Sequence, residues 1–185
     1  MAALATLAAL HTDRPGKMRL NRDQDMHQTG KRHPFISKYK AGFSGAGDLL
    51  ALDVSIYADG GWSSDLSGAI LDRALFHLDN CYHIPNLRFE GRVLKTNHVS
   101  HTAFRGFGGP QGMLVVEEVL NRIAETLGKD PVSIRKRNYY GKAPKNITPY
   151  GQEVKTRDNR IHTMTRQLLD TSEYRQRRRE IDKFN

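Results

Sequence analysis

A glycine-rich turn that runs directly into a long amphipathic pattern constrains this chain more than any other feature. Three glycines lie within residues 106–109, Pro110 follows, and apolar residues then recur at steps of three and four up to Leu127. Proline in the first helical turn and glycine after the last residue, here Gly128, are typical of helix ends. The pattern predicts a helix with one buried face, entered through an irregular loop over residues 102–111.

The strand pattern indicates the fold class. Phe35–Phe43 and Leu49–Ala58 are rich in alternating apolar residues and are separated by a short loop with two glycines, which predicts an antiparallel hairpin. Leu87–Leu94 predicts a third strand, and residues 69–80 show the spacing of a helix. Because a hairpin and helices are mixed, we predict an α+β fold with a mixed, partly antiparallel sheet and packed helices.

The remaining segments predict shorter elements. The alanine-rich stretch Met1–Leu10 predicts a helix that packs tightly on a sheet, and Lys17–Leu20 alternates as a short strand would. Asn21 is a typical cap for a short helix. Pro131–Asn138 predicts another helix, and residues 161–181 predict a single long one.

Length and chain ends bear on domain organisation. A chain of 185 residues is expected to form one domain, with a possible subdomain break near residues 59–62, where Asp59–Gly61 predicts a turn. The helical pattern begins at Met1 without a cap, and the last residues lack a helix terminator. We therefore expect residues 1–185 to be a piece of something longer.

Charge and cysteine content narrow the class of protein. The formal net charge of +9 favours anionic partners, so a small basic nucleic-acid-binding module is an alternative hypothesis for the function. The one cysteine, Cys81, excludes an internal disulfide and a zinc finger, which favours a reducing, cytoplasmic location. The apolar N-terminal run is too short to span a bilayer, so no membrane partner is expected.

The loop itself has the chemistry of a ligand site. Arg105 supplies a fixed charge, Phe104 and Phe107 supply aromatic planes, and a helix N-terminus supplies free N–H groups. A planar anionic ligand would suit this set. The alternative is a structural glycine turn with both phenylalanines buried in the core.

The residues of this loop, read as a continuous motif, favour a ligand site over a structural turn. The string Thr102–Gln111, TAFRGFGGPQ, resembles the signature loop of the molybdenum-binding subunit in the xanthine dehydrogenase branch of the molybdenum hydroxylase family. Leu71–Asn86, Lys31–Phe35 and Asp182–Asn185 resemble the same subunit in the same order. Since the family subunit is several-fold longer, the resemblance implies that residues 1–185 are a fragment of the molybdopterin-binding domain.

The resemblance also implies roles for four residues. It places Arg105 against the molybdenum cofactor, with its backbone near the molybdenum, and Gly106 in the same cofactor-binding loop. It implies that Phe107 stacks on a bound purine and that Arg73 reaches a purine oxygen. A guanidinium is a planar donor that stays charged, so both arginines suit these roles.

The implied reaction is oxidation of hypoxanthine and xanthine to xanthine and urate, with oxygen taken from water. In the family, electrons leave the molybdenum-molybdopterin cofactor for 2Fe–2S and FAD centres on other segments or subunits, and the parent enzyme is expected to be an oligomer. The family's general-base glutamate lies outside this chain. The resemblance therefore implies no catalytic residue within residues 1–185, and we expect the isolated chain to be inactive.

Several residues near the loop have simpler interpretations. The alternative for Arg73 is an exposed helix charge paired with Asp72 or Asp79. Glu117 and Glu118 are predicted to be solvent-facing acids on the helix that follows the loop.

The sequence leaves alternatives open for three further features. His98 and His101 precede the loop and are either near the cofactor or simply solvated. The basic run Arg175–Arg179 is predicted to be a solvated helix face or a face that packs on absent protein, since it lacks interleaved aromatic residues.

Overall fold

The computed structural model describes all residues from 1 to 185 and contains seven helices and one three-stranded sheet. The elements follow in the order α1 (Ala2–Thr12), α2 (Arg22–Gln28), β1 (Phe35–Phe43), β2 (Leu49–Gly61), α3 (Ser67–Phe76), β3 (Leu87–Lys95), α4 (Gly109–Leu127), α5 (Pro131–Asn138), α6 (Ile161–Thr171) and α7 (Tyr174–Phe184). None of these helices combines the length and the apolar character needed to cross a membrane.

The sheet is mixed, which confirms the predicted fold class. Strand β2 is central and pairs antiparallel with β1, with Phe35 opposite Ala58, and parallel with β3, with Leu52 opposite Leu87. Helix α3 connects the two parallel strands, as a crossover between parallel strands requires. The predicted hairpin, third strand and long helix α4 are all confirmed.

The core lies between β2 and the helices α3 and α4. Alternate residues of β2 point into it and are almost fully buried, as a strand with one covered face requires. Helix α4 contributes one apolar face, which explains its spacing of three and four. The main contributors are Leu52, Val54, Ile56, Ala58, Leu71, Leu78, Tyr82, Val116, Val119, Leu120, Ile123 and Ile134.

Two predictions for the N-terminal segment are wrong. Helix α1 forms, but it buries none of its residues and does not pack on the sheet, and its apolar residues are spread around the helix. Residues 17–20 form no strand. Four alternating residues need a neighbouring strand edge, and the sheet is made only of β1, β2 and β3. The capped helix at Asn21 is confirmed, with a complete capping box.

Other element boundaries also differ from the predictions. The turn predicted at Asp59–Gly61 lies inside β2, which continues there with a shift in its register to β3. Helix α3 ends at Phe76 rather than near residue 80. The single helix predicted for residues 161–181 is two helices, since Glu173 adopts a positive φ of 51° that an α-helix cannot include.

Candidate functional site

The predicted loop before α4 is confirmed as an irregular segment. Gly106, Phe107 and Gly108 have successive positive φ values of 92°, 49° and 92°, and the helix begins at Gly109. Glycine at two of the three positions allows the backbone to adopt these angles, because residues with a Cβ rarely adopt positive φ. Phe107 is held there by the hydrogen bond from its N–H to the carbonyl of Phe104, at 2.8 Å.

Close packing of α3 against the start of α4 explains two of the glycines. A Cβ at Gly108 would lie 2.0 Å from the carbonyl oxygen of Ile70, and one at Gly112 would lie 2.0 Å from that of Ala74. Arg73 is on the same side of α3, so the contact brings it to the loop: a Cβ at Gly109 would lie 3.9 Å from Arg73 Nε. The structure therefore brings together Arg73 and the loop that carries Arg105, Gly106 and Phe107.

The backbone donors of the loop are only partly free. The N–H groups of Phe107, Gly109 and Gln111 bond to carbonyls within the loop and the first helical turn. Those of Arg105 and Gly106 bond to no group of the chain. The N–H groups of Ala103, Phe104 and Gly108 also bond to no group of the chain, so several free donors lie just before the helix, as expected.

The side chains of the loop are available to a ligand. Phe104 is 49% exposed and Phe107 is half-buried, so the alternative in which both lie in the core is wrong. Arg73 and Arg105 are exposed, and neither guanidinium forms an ion pair or a hydrogen bond within the chain. The predicted alternative of Arg73 paired with Asp72 or Asp79 is therefore also wrong.

Asp79 has a different partner. Its carboxylate accepts a hydrogen bond from the hydroxyl of Tyr140 at 2.5 Å, and burial raises the pKa of the Asp79 carboxyl group. Its role is to join the turn after α3 to the segment after α5.

Sequence reasoning assigned no role to Arg32, which lies against the loop. Its guanidinium donates through Nη2 to the carbonyl oxygen of Arg105 and through Nη1 to Oε1 of Gln111, at 3.5 Å. The guanidinium carbon also lies 4.6 Å from the ring centroid of Phe104. The only available signal was its place in the segment Lys31–Phe35, which carries the family resemblance without a role for each residue.

A cluster of hydrogen bonds around Asp59 supports the chain just before the loop. One carboxylate oxygen accepts from Thr96 Oγ1 at 2.6 Å and from the N–H of Gly61 at 3.0 Å, and the other lies 2.5 Å from His98 Nδ1. Burial raises the pKa of Asp59, but hydrogen bonds from Thr96, His98 and Gly61 outweigh it and lower the pKa to about 2. Asp59 is therefore a stable anion that ties β2 to residues 96–98.

The residues around Asp59 include two histidines, and histidine and aspartate are common metal ligands. Ligand atoms of Asp59, His98 and His101 lie within 4.8 Å of one another, and His101 is buried rather than solvated. However, the N–H of Lys31 faces His101 Nδ1 at 3.4 Å, so in neutral His101 the proton is on Nε2, the atom nearest Asp59. A metal-ligating histidine normally has an acceptor at its other nitrogen. The arrangement favours a hydrogen-bonded anchor over a metal site.

The prediction that Glu117 faces solvent is wrong. Its carboxylate accepts from the hydroxyl of Tyr82 at 2.6 Å, from Asn80 Nδ2 at 3.1 Å and from Arg135 Nε at 2.8 Å. Glu118, its neighbour, pairs only with Arg122 on the same exposed helix surface. Glu117 therefore joins α4 to α5 and to the turn after α3.

Comparison with known proteins defines the class of this fold and site. The model of the molybdopterin cofactor-binding domain family matches residues 1–139, and the chain belongs to that family.

The individual matches agree with this assignment. Xanthine dehydrogenase of Emericella nidulans is 43% identical over 185 residues, which are 100% of this chain and 13% of that protein. Xanthine dehydrogenase/oxidase of Felis catus is 46% identical over 182 residues, 97% of this chain and 13% of that protein. The aldehyde oxidoreductase from Desulfovibrio gigas superposes with a TM-score of 0.77 at 36% identity, over 91% of this chain and 18% of that one.

The matches extend over nearly the whole of this chain but over only a small part of each relative. The chain spans 13% of the length of the xanthine dehydrogenases it matches. The matches give no support to the alternative of a basic nucleic-acid-binding module.

The donor set of the loop fits the cofactor that gives the family its name. Arg105 has no partner within the chain, and the N–H groups of Arg105 and Gly106 are free beside it. A guanidinium and adjacent backbone N–H groups suit an anionic, oxygen-rich group. The loop contains no thiol, imidazole or carboxylate, so it would contact such a group without supplying a side-chain ligand to its metal.

Proposed function

We propose that this chain is a part of the molybdopterin-binding domain of a molybdenum hydroxylase that oxidises hypoxanthine and xanthine. The observation that carries the proposal is the pair of unpartnered guanidinium groups, Arg73 and Arg105, at an aromatic loop packed on α3. The identity of the chain to xanthine dehydrogenases over its whole length supports the same function.

In this proposal, the loop holds the molybdenum-molybdopterin cofactor through Arg105 and Gly106. Arg105 lies against the cofactor, with its backbone near the molybdenum. When bound, the cofactor supplies two-electron oxidation of the substrate with oxygen from water. The chain's own contribution is to orient it with one fixed positive charge and two free N–H groups.

The same loop and α3 bind the purine. Phe107 gives an aromatic face for the flat ring, and Arg73 donates to a ring oxygen, stabilising negative charge that grows there during the reaction. Close packing of Gly108 and Gly112 on α3 supports this pairing, because it sets Arg73 beside the loop. The family resemblance implies that an arginine at this position favours a purine over an aldehyde.

The rest of the machinery lies outside this chain in our proposal. The general-base glutamate, the FAD and the 2Fe–2S centres belong to other segments or subunits, and the whole enzyme is an oligomer. The proportion of each relative that is matched, 13%, is consistent with a much larger protein.

The substitution Arg73→Met in the intact enzyme tests the substrate assignment. We expect xanthine turnover to fall by about two orders of magnitude, the loss typical of removing one charge-stabilising donor. Oxidation of an aldehyde substrate should be spared, since an aldehyde presents no purine oxygen to this position. Steady-state kinetics with both substrates measures the difference.

Arg88→Met is the matched control, because Arg88 is an exposed arginine on β3 away from the loop. It should leave both activities unchanged. Equal losses on xanthine and aldehyde in Arg73→Met would show that Arg73 acts on folding or on the cofactor, and would contradict its role in purine recognition.

A further inference from the structure

We infer that Arg32 is a positioning residue for the loop formed by residues 102–111. This inference rests on the proposed function of that loop. Arg32 makes three contacts with it: the carbonyl of Arg105, the amide of Gln111 and the ring of Phe104. Each contact involves the loop's framework, and the groups assigned to ligands, the Arg105 guanidinium and the Phe107 ring, are left free.

The loop needs an external support because its own hydrogen bonding is sparse. Residues 106–108 are all at positive φ, and Phe107, which has a Cβ, is disfavoured there. No other side chain bonds to the backbone of residues 103–108. Arg32 is therefore the side chain that restrains the carbonyl directly between Arg105 and Gly106.

Arg32 itself stands on a fixed base. Its neighbour His33 is buried, and His33 Nε2 lies 2.7 Å from Ser67 Oγ at the start of α3. On the other side, the carbonyl of Lys31 accepts from the N–H of Thr102 at 3.2 Å, and the N–H of Lys31 donates to His101 Nδ1. Because the backbone is held on both sides of Arg32, the Arg32 side chain has a fixed base from which it can hold the loop in place.

The chemistry of these contacts requires arginine. A guanidinium can donate in two directions while its flat face covers an aromatic ring, whereas an ammonium is a point charge on a flexible stem. Lysine at position 32 would keep the charge and lose the simultaneous contacts. It should therefore restore only part of the function.

Trypsin offers a direct readout of this restraint, because it cleaves the Arg105–Gly106 bond at the carbonyl that Arg32 holds. In the intact protein prepared without cofactor and substrate, which leaves this bond uncovered, we expect Arg32→Met to raise the rate of cleavage about tenfold, since it removes a hydrogen bond from a charged donor. Arg32→Lys should give an intermediate rate. Cleavage after Arg157, in the exposed connection before α6, serves as the internal reference and should not change.

Two further variants complete the design. Arg92→Met, at an exposed arginine of β3, is the matched control and should leave cleavage at Arg105 unchanged. Phe104→Leu removes only the ring beneath the guanidinium and should raise cleavage by about threefold. This second variant tests the inference even if Arg32→Met does not fold.

Kinetics on xanthine then separate this inference from the proposed function. Misplacement of Phe107 should raise KM more than it lowers kcat in Arg32→Met, with part of the effect recovered in Arg32→Lys. Unchanged cleavage at Arg105 in both Arg32→Met and Phe104→Leu would overturn the positioning role. Faster cleavage with an unchanged xanthine KM would support the restraint and would count against the purine site proposed for the loop.

Discussion

Glu117 and Glu118 are adjacent glutamates on α4 that face different surroundings. Glu117 accepts hydrogen bonds from Tyr82, Asn80 and Arg135, whereas Glu118 pairs with Arg122 at the surface. Loss of one partner from a partly buried network leaves the other polar groups unsatisfied, which costs more than loss of a surface pair.

We expect Glu117→Gln to lower the free energy of unfolding by about 1–3 kcal/mol, because the amide cannot accept from Tyr82 and Arg135 with both of its end atoms. Glu118→Gln is the matched control and should change it by at most about 0.5 kcal/mol. Urea unfolding of both variants measures the difference. Equal effects would show that the network around Glu117 contributes no more than a surface ion pair.

At the scale of single residues, the sequence indicates which residues are candidates for the site, but it does not predict the contacts that their side chains make. Arg105 and Phe107 could be singled out because they lie in one continuous motif. The partners of Glu117 and the contacts of Arg32 come from segments up to 79 positions away, as for Arg32 and Gln111. No local pattern reports such a contact.

The elements that could be predicted are those in which local pattern and tertiary packing agree. Helix α4 has an apolar face at helical spacing and buries that face on β2, and the hairpin alternates because β2 is covered on one side. Helix α1 has helical residues but no defined face, so its helical state could be predicted and its packing could not.

The contact between α3 and α4 depends on the absence of side chains, which gives a sharp test. In Gly112→Ala, the new methyl group would meet the carbonyl oxygen of Ala74, so the helices must separate. We expect a loss of stability of about 1–3 kcal/mol, the usual cost of overpacking. Thermal or urea unfolding measures it.

Gly68→Ala is the matched control for this experiment. Gly68 lies in the first turn of α3, and a Cβ there meets nothing within 4 Å. Alanine should leave stability unchanged or raise it by up to about 1 kcal/mol through its higher helix propensity. A neutral Gly112→Ala would show that α3 and α4 can shift apart freely, and that the position of Arg73 beside the loop is not set by this contact.

At the scale of the whole molecule, burial is uneven. The buried cluster is drawn from β2, α3, α4, α5 and the segments between them, whereas α1, α2, α6 and α7 contain no buried residue. The amino-acid composition could predict that a core forms. It could not predict which helices contribute buried residues to that core, because this depends on tertiary contacts.

The uncovered helices lead to the last prediction, on the behaviour of the 185-residue chain expressed by itself. Leu4, Leu7 and Leu10 of α1 are 54%, 62% and 75% exposed. Contiguous apolar patches of several hundred Å² drive association, so we expect the chain to form oligomers in solution. Replacing the three leucines by glutamine should shift it towards the monomer, as measured by size-exclusion chromatography with light scattering.

Leu114→Gln is the control, because Leu114 is an exposed leucine on α4 rather than α1, and the substitution should leave the association unchanged. We also expect the isolated chain to retain no molybdenum and to oxidise no xanthine, since one arginine and a few free N–H groups supply few of the contacts that a tightly held cofactor needs. Metal analysis and a xanthine assay on the same preparation test this. A monomer with stoichiometric molybdenum and turnover would contradict both the association and the assignment of the remaining machinery to other segments.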